Sequence, residues 1–266
     1  MSLVSSLRSG VRSSLRSGLN PSDSADPMSG VTRDATSGIY CPSTAGEWAT
    51  TLAAAGIAAG NPTSVWLMQD SATTLLDAVG AFPLPLGNTV TFQNAVTGWA
   101  RKGVGTADGG ANCGFTSTDA GLPDPATVSH LLLGYVSITG APGGTRGAML
   151  IGATNQHEGR GLATSRIRYQ AVGNAADGTV DPTGQVRPFV MRINITASTN
   201  MFATDQEKQA PTFTAPTGRR IAFGGFNAAA IPGRYLYGAL FTSTAAERSD
   251  ANVKTLLQTL GWTIGW

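Results

Sequence analysis

From about residue 63 onward, apolar and polar residues alternate with a period of two, the repeat of a strand with one buried face. SVWLM (64–68), TVTFQ (89–93), SHLLLGYVSI (129–138), AMLIGA (148–153), TSRIRYQAV (164–172), PFVMRINIT (188–196), NMFATD (200–205), RRIAFGGF (219–226) and RYLYGALFT (234–242) all read as strands, parted by Gly, Pro, Asn and Asp. In TSRIRYQAV the pattern turns Ile167 and Tyr169 inward and Arg166, Arg168 and Gln170 outward. In PFVMRINIT it places Phe189, Met191, Ile193 and Ile195 on one side. About ten or more short strands over about 180 residues predict an all-β sandwich, and suit a jelly roll better than a seven-stranded immunoglobulin domain.

Two segments carry the helical period instead. Thr44-Ala-Gly-Glu47 opens a capping box, Trp48, Leu52 and Ala55 share a face, and Gly56 can end the helix in the left-handed conformation. Near the end, Val253, Leu256, Leu257 and Leu260 form an i, i+3, i+4, i+7 stripe that Ser249 or Asp250 can cap and Gly261 can stop. Trp262, Ile264 and Trp266 then read as a short apolar closing strand.

The start of the chain fits neither pattern. Ser6-Leu7-Arg8-Ser9-Gly10 returns as Ser14-Leu15-Arg16-Ser17-Gly18. Leu3, Leu7, Val11, Leu15 and Leu19 recur every four residues, with Arg8, Arg12 and Arg16 beside them. Helical or extended, this arm has one greasy edge and one cationic edge, and a short helix gains little alone. Pro21 and the SDSADPMSG stretch close it as a linker. The organisation read from the sequence is therefore an arm and linker over 1–40, a short helix over 41–60 and a β-sandwich over 61–266. Leu7, Arg8, Val11, Arg12, Leu15, Arg16 and Leu19 are the expected partner-binding residues: the apolar ones for a groove, the arginines for acids on a neighbour.

Composition sharpens this. Only 13% of the 266 residues are charged, against roughly 25% in an average soluble protein. Such a surface loses little on being covered, which fits self-association into a symmetric oligomer. Net charge is +2, so no field for specific nucleic-acid binding is implied, yet Lys102, Lys208 and Lys254 are the sole lysines among 18 basic residues. Arginine's weakly hydrated planar fork suits interfaces. Cys41 and Cys113 are too few for a disulfide framework or a metal site, and are read as reduced thiols, with a single bridge between them as the alternative. No apolar run reaches the roughly 18 residues of a membrane span.

Catalytic signatures are sparse. The chain has no Gly-x-Ser-x-Gly elbow, no phosphate loop and no His-Glu-x-x-His. His157-Glu158 falls in what reads as a Gly/Asn-rich loop, His130 in a strand as a packed residue, and GVGTADGG (103–110) as a hairpin loop. Asp108, Asp119 and Asp124 read as turn formers rather than calcium ligands. Tyr235, Tyr237, Phe226, Trp99 and Phe115 could line a sugar-stacking face.

VWLMQDSATTLLDAVGAFPLPL (65–86), with its Leu75-Leu76-Asp77-Ala78-Val79-Gly80 phrase, resembles the opening of concanavalin A-like, laminin-G-like jelly rolls. GRYLYGALFTSTAAERSDANVKTLLQTLGW (233–262) resembles their close, a core strand leading into a small helix. That clan includes glycosidases carrying Glu-x-Asp-x-x-Glu or Glu-x-Asp-x-Glu; none of Glu47, Glu158, Glu207 and Glu247 has an Asp two residues on, so no enzyme is expected. The Arg-Ser-Gly arm ending in Asn-Pro is similar in style to the starts of tailed-bacteriophage fibre and decoration proteins. The expectation is a structural component of the virion, without cofactor or metal, bound to other virion proteins through its arm. The alternative is a lectin-like adsorption module whose partner is a cell-surface glycan.

Overall fold

The computed structural model describes residues 26–266 except 59, 81, 88–89, 111–112, 117–120, 225–229 and 244–247, and the backbone alone of 113–116. The seven arm residues named above, together with Asp119, Phe226 and Glu247, lie outside the described residues, as does the Phe115 side chain.

Two antiparallel sheets form the body, with strands numbered along the chain. The larger runs β14 (Lys208–Gln209), β13 (Thr199–Ala203), β12 (Val186–Asn194), β7 (His130–Ile138), β16 (Gly233–Thr242), β5 (Gly103–Thr106), β4 (Thr91–Asn94), with β1 (Ser64–Trp66) also paired to β16. The smaller runs β11 (Asn174–Asp177), β10 (Ile167–Ala171), β9 (His157–Gly161), β8 (Arg146–Ile151), β15 (Ile221–Phe223), β6 (Cys113–Thr116). A two-stranded hairpin, β2 (Thr74–Leu75) and β3 (Leu84–Pro85), and two helices, α1 (Ala45–Ala54) and α2 (Asp250–Thr259), complete it. This is the expected all-β jelly-roll sandwich with two short helices.

β7, β12 and β16 read as almost unbroken apolar runs because the larger sheet is buried on both faces. One side-chain parity, including Leu132, Val136, Phe189, Met191 and Ile193, meets the smaller sheet. The other, including Leu131, Leu133, Tyr135, Val190 and Phe241, meets Trp48 and Leu52 of α1, Val253, Leu256 and Leu257 of α2, and Ile39 and Cys41. Both helices start as expected. The Thr44 hydroxyl accepts from Glu47 N at 3.2 Å, and Ser249 forms a reciprocal capping box with Asn252. The Glu47 carboxylate reaches one residue further back than expected, accepting from Ser43 N at 2.6 Å. Cys41 is a free, buried thiol whose pKa burial pushes up to about 12. No helix among the described residues is long and apolar enough to cross a membrane.

Close approach of the two sheets depends on glycine. Gly134 on β7 and Gly238 on β16 are directly opposite each other, and the Phe223 ring of β15 sits against both. Gly159 on β9 similarly receives Phe202 of β13. A β-bulge interrupts β16: Tyr235 pairs with Val136 and Tyr237 with Tyr135, leaving Leu236 as the extra residue. Tyr235 thus belongs to the inter-sheet core and Tyr237 to the helix-side core.

The Leu75–Gly80 phrase has a structural cause. Asp77 Oδ1 accepts from the backbone N–H of Val65 at 2.9 Å, Val79 at 3.1 Å and Gly80 at 2.9 Å, and Oδ2 from Phe82 at 3.2 Å. One carboxylate thereby ties β1 to the turn before the β2–β3 hairpin closes. We expect Asp77→Ala to cost about 2 kcal/mol in denaturant unfolding, and Asp77→Asn clearly less, because the amide keeps Oδ1 and three of the four acceptances.

Three local expectations are corrected. Residues 262–266 form no strand; Trp262 stacks on Trp99 at 6.0 Å and Trp266 Nε1 donates to Thr204 O at 2.7 Å, so both indoles cover the larger sheet. GVGTADGG is not wholly loop, since its first residues are β5. The His157-Glu158 segment is strand β9.

Candidate functional site

The central strands of the larger sheet, β7, β12 and β16, are covered on both faces, whereas the smaller sheet shows partly exposed residues on its outer side. Alternation along β9 decides what is displayed there. His157 points inward, its Nδ1 2.5 Å from Tyr169 Oη and its Nε2 2.6 Å from Thr214 O. In the neutral ring, Nε2–H donates to Thr214 and Nδ1 accepts from the tyrosine; burial lowers the imidazole pKa. Glu158 and Arg160 point the other way. On the neighbouring strand β10, Gln170 lies opposite Glu158, and Arg168 lies opposite Arg160.

Glu158, Arg160 and Gln170, with Asn155, Gln156 and Val172, line a cavity of about 270 Å³. Glu158 is its buried floor, 2% exposed. Arg160 grips that carboxylate through Nε at 2.7 Å and Nη2 at 2.6 Å, both on Oε2. Two strained turns hold the rim. Asn155 is left-handed at φ 49°, in a loop pinned by the pairing of Thr154 with Thr217. Val172 sits at φ 23° in the two-residue β10–β11 turn with Gly173 at φ 75°. Positive φ at both positions is what a two-residue hairpin loop requires, at some cost for a β-branched residue.

The chemistry is that of a small polar receptor. The carboxylate only accepts, the guanidinium only donates, and the amides do both. Such a set matches vicinal hydroxyls, each both donor and acceptor, while the Val172 side chain offers an apolar edge. The volume lies near the lower limit of ordinary ligand pockets, the scale of one sugar ring. No group of three or more His, Cys, Asp or Glu able to hold a metal exists among the described residues.

Of the residues expected to form a sugar-stacking face, the three whose side chains are described, Tyr235, Tyr237 and Trp99, do not form one. Tyr235 and Tyr237 are both fully buried, sent to opposite faces by the bulge. Tyr237 Oη donates to Pro42 O at 2.5 Å and accepts from Trp48 Nε1 at 3.1 Å. Trp99 is half-buried between Tyr135 and Trp262. Asp124 serves its own turn through Ala126 N at 2.9 Å, and Asp108 pairs with Arg146 at 3.2 Å.

No protein-family model and no curated protein matches the sequence. Solved structures match in fold. The Trypanosoma rangeli sialidase in complex with 2,3-difluorosialic acid, a covalent intermediate, overlaps 76% of this chain and 34% of its own, at TM-score 0.58 and 10% identity. The same enzyme in complex with a difluoro-KDN ligand overlaps 73% and 32%, at 0.57 and 10%. The binding domain of botulinum neurotoxin serotype G overlaps 74% and 51%, at 0.50 and 10%. The chain thus spans about a third of the length of the sialidases and half that of the toxin domain. These likenesses establish the sandwich. They also correct the expectation that the protein is not an enzyme: structures that share this sandwich include enzymes, so the fold carries no such exclusion.

Proposed function

We propose that the protein is a lectin-like module that binds a glycan on the outer face of its smaller sheet. The observation that carries this reading is the buried Glu158 carboxylate, held by the half-buried Arg160, in a monosaccharide-sized cavity whose remaining polar lining is amide. The fold's likeness to a toxin binding domain and to sialidases captured with sugars agrees with it. Glu158 accepts from a sugar hydroxyl, the Gln156, Gln170 and Asn155 amides bridge its neighbours, and Val172 packs against the C–H face.

An array of neutral and sialylated glycans, probed with the full chain, tests this. The wild type is expected to retain a defined subset, and Glu158→Gln, folded though with a lower melting temperature because Arg160 loses its carboxylate, to weaken retention about tenfold. Silence on every glycan, or equal retention by Glu158→Gln, overturns the reading.

The repeated Ser-Leu-Arg-Ser-Gly phrase favours a second reading compatible with the first: display of this module on a phage particle, with the arm as anchor. Removing residues 1–20 is then expected to leave glycan retention intact and abolish incorporation into virions.

A further inference from the structure

A different region carries an unexplained excess of donors. Where α2 begins beside β12 and β13, two adjoining cavities of about 470 and 310 Å³ share Arg192, Thr199 and Asp250. Arg248 lines one of them and Asn200 the other. Arg192 and Arg248 are 4% and 3% exposed, an unusual depth for two guanidinium groups.

Their charges are unevenly matched. Arg192 Nη1 donates to Asp250 Oδ1 at 2.5 Å and to Arg248 O at 2.9 Å, and Lys208 Nζ donates to Asp250 Oδ2 at 2.6 Å. Arg248 has no carboxylate partner among the described residues; its guanidinium lies 5.3 Å over the Phe241 ring. Among the described residues, two cations, Arg192 and Lys208, therefore share a single carboxylate, and a third, Arg248, has none.

Hydrogen bonding is unbalanced in the same sense. Arg192 Nε, Arg248 Nε and Asn200 Nδ2 are buried with no partner among the described residues. All three are donors. Buried donors without acceptors are rare, and Asn200 is itself only 4% exposed. The first turn of α2 adds its own positive potential.

We propose that this trough binds the oxyanion of a small acidic ligand: a carboxylate, sulfate or phosphate group that supplies the missing acceptors and charge. It shares no residue with the Glu158 cavity, so the two sites stand or fall separately.

The test is a titration of the ¹⁵N-labelled full chain with sodium sulfate, sodium phosphate and sodium glucuronate at constant ionic strength. Saturable shifts are expected at the Arg192 and Arg248 Nε–H and the Asn200 side-chain amide. The anion giving the tightest binding identifies the ester or the sugar acid as the source. Asp250→Asn removes the competing carboxylate and is expected to tighten binding about tenfold. Lys208→Gln, at a largely solvated side chain, is expected to weaken it about threefold without disturbing the fold. Arg168→Gln, remote from the trough, leaves it unchanged. No saturable shift in either wild type or Asp250→Asn, or tighter binding lost equally on Arg168→Gln, overturns the proposal.

Discussion

Gly238→Ala is expected to destabilise the protein by about 3 kcal/mol, lowering the melting temperature by about 6–12 °C. An added methyl would stand 2.5 Å from Phe223 Cζ and 3.1 Å from Met68 Cε. Phe223 cannot swing clear, because Trp66 packs edge-on against it at 5.7 Å and Tyr235 at 6.1 Å. Gly134 closes the opposite side of the same notch, its own Cβ falling 3.0 Å from the ring. The mechanism is checked by a double-mutant cycle. Phe223→Leu alone opens a cavity and destabilises, yet in the Gly238→Ala background it relieves the clash, so the pair should lose less than the sum. A Gly238→Ala protein that melts with the wild type would show that the sheets are not this closely apposed.

Acidification should act through the histidines before the carboxylates. His130 is fully buried at the start of β7, its Nδ1 3.0 Å from Val128 O, and burial lowers its pKa from 6.5 to about 4. The folded state thus prefers the neutral ring. As pH falls through 6.5 the unfolded chain takes up a proton that the folded protein refuses, and stability declines until about pH 4, where the folded ring also titrates. Over that window the loss from His130 is about 3 kcal/mol, and His157, shifted in the same direction, adds to it. The carboxylates act later. Burial opposes ionisation of Asp34, but backbone N–H donors from Ser37, Arg101 and Ala100 outweigh it and hold the pKa below 3.8. Its contribution is complete above 3.8 and fades only as pH falls through the lower folded value. Urea midpoints measured from pH 7.5 to 4 should therefore fall in the wild type and fall much less in His130→Gln. Parallel curves would remove His130 from the account.

How far the sequence reveals all this depends on residue type. All nine alternating segments contain strands, because Val, Ile, Leu and aromatic residues at period two leave few other folds. β9 is hidden because two of its inward positions, Gly159 and Gly161, are glycines, and β5 because its one apolar core residue, Val104, stands between two glycines. Gly159 faces Phe202 and Gly161 faces Ile231, and a residue without a side chain contributes nothing to a hydrophobic pattern. The Glu158 cavity is lost with β9. Its signal is the alternation itself: His157, Gly159 and Gly161 point inward while Glu158 and Arg160 point outward, a period of two written in small and charged residues. The oxyanion trough is less legible still. Arg192 sits mid-strand as an outward position should, and that α2 covers it is a fact of tertiary packing alone.

Leu236 acts as a phase slip in β16. Upstream and downstream of it the strand follows two reading frames of in and out, joined by one uncounted residue. Deleting it would merge the frames, so one half of the strand would present its tyrosine to the wrong layer. Natural variants of this sandwich should therefore keep the length of the strand constant at that position.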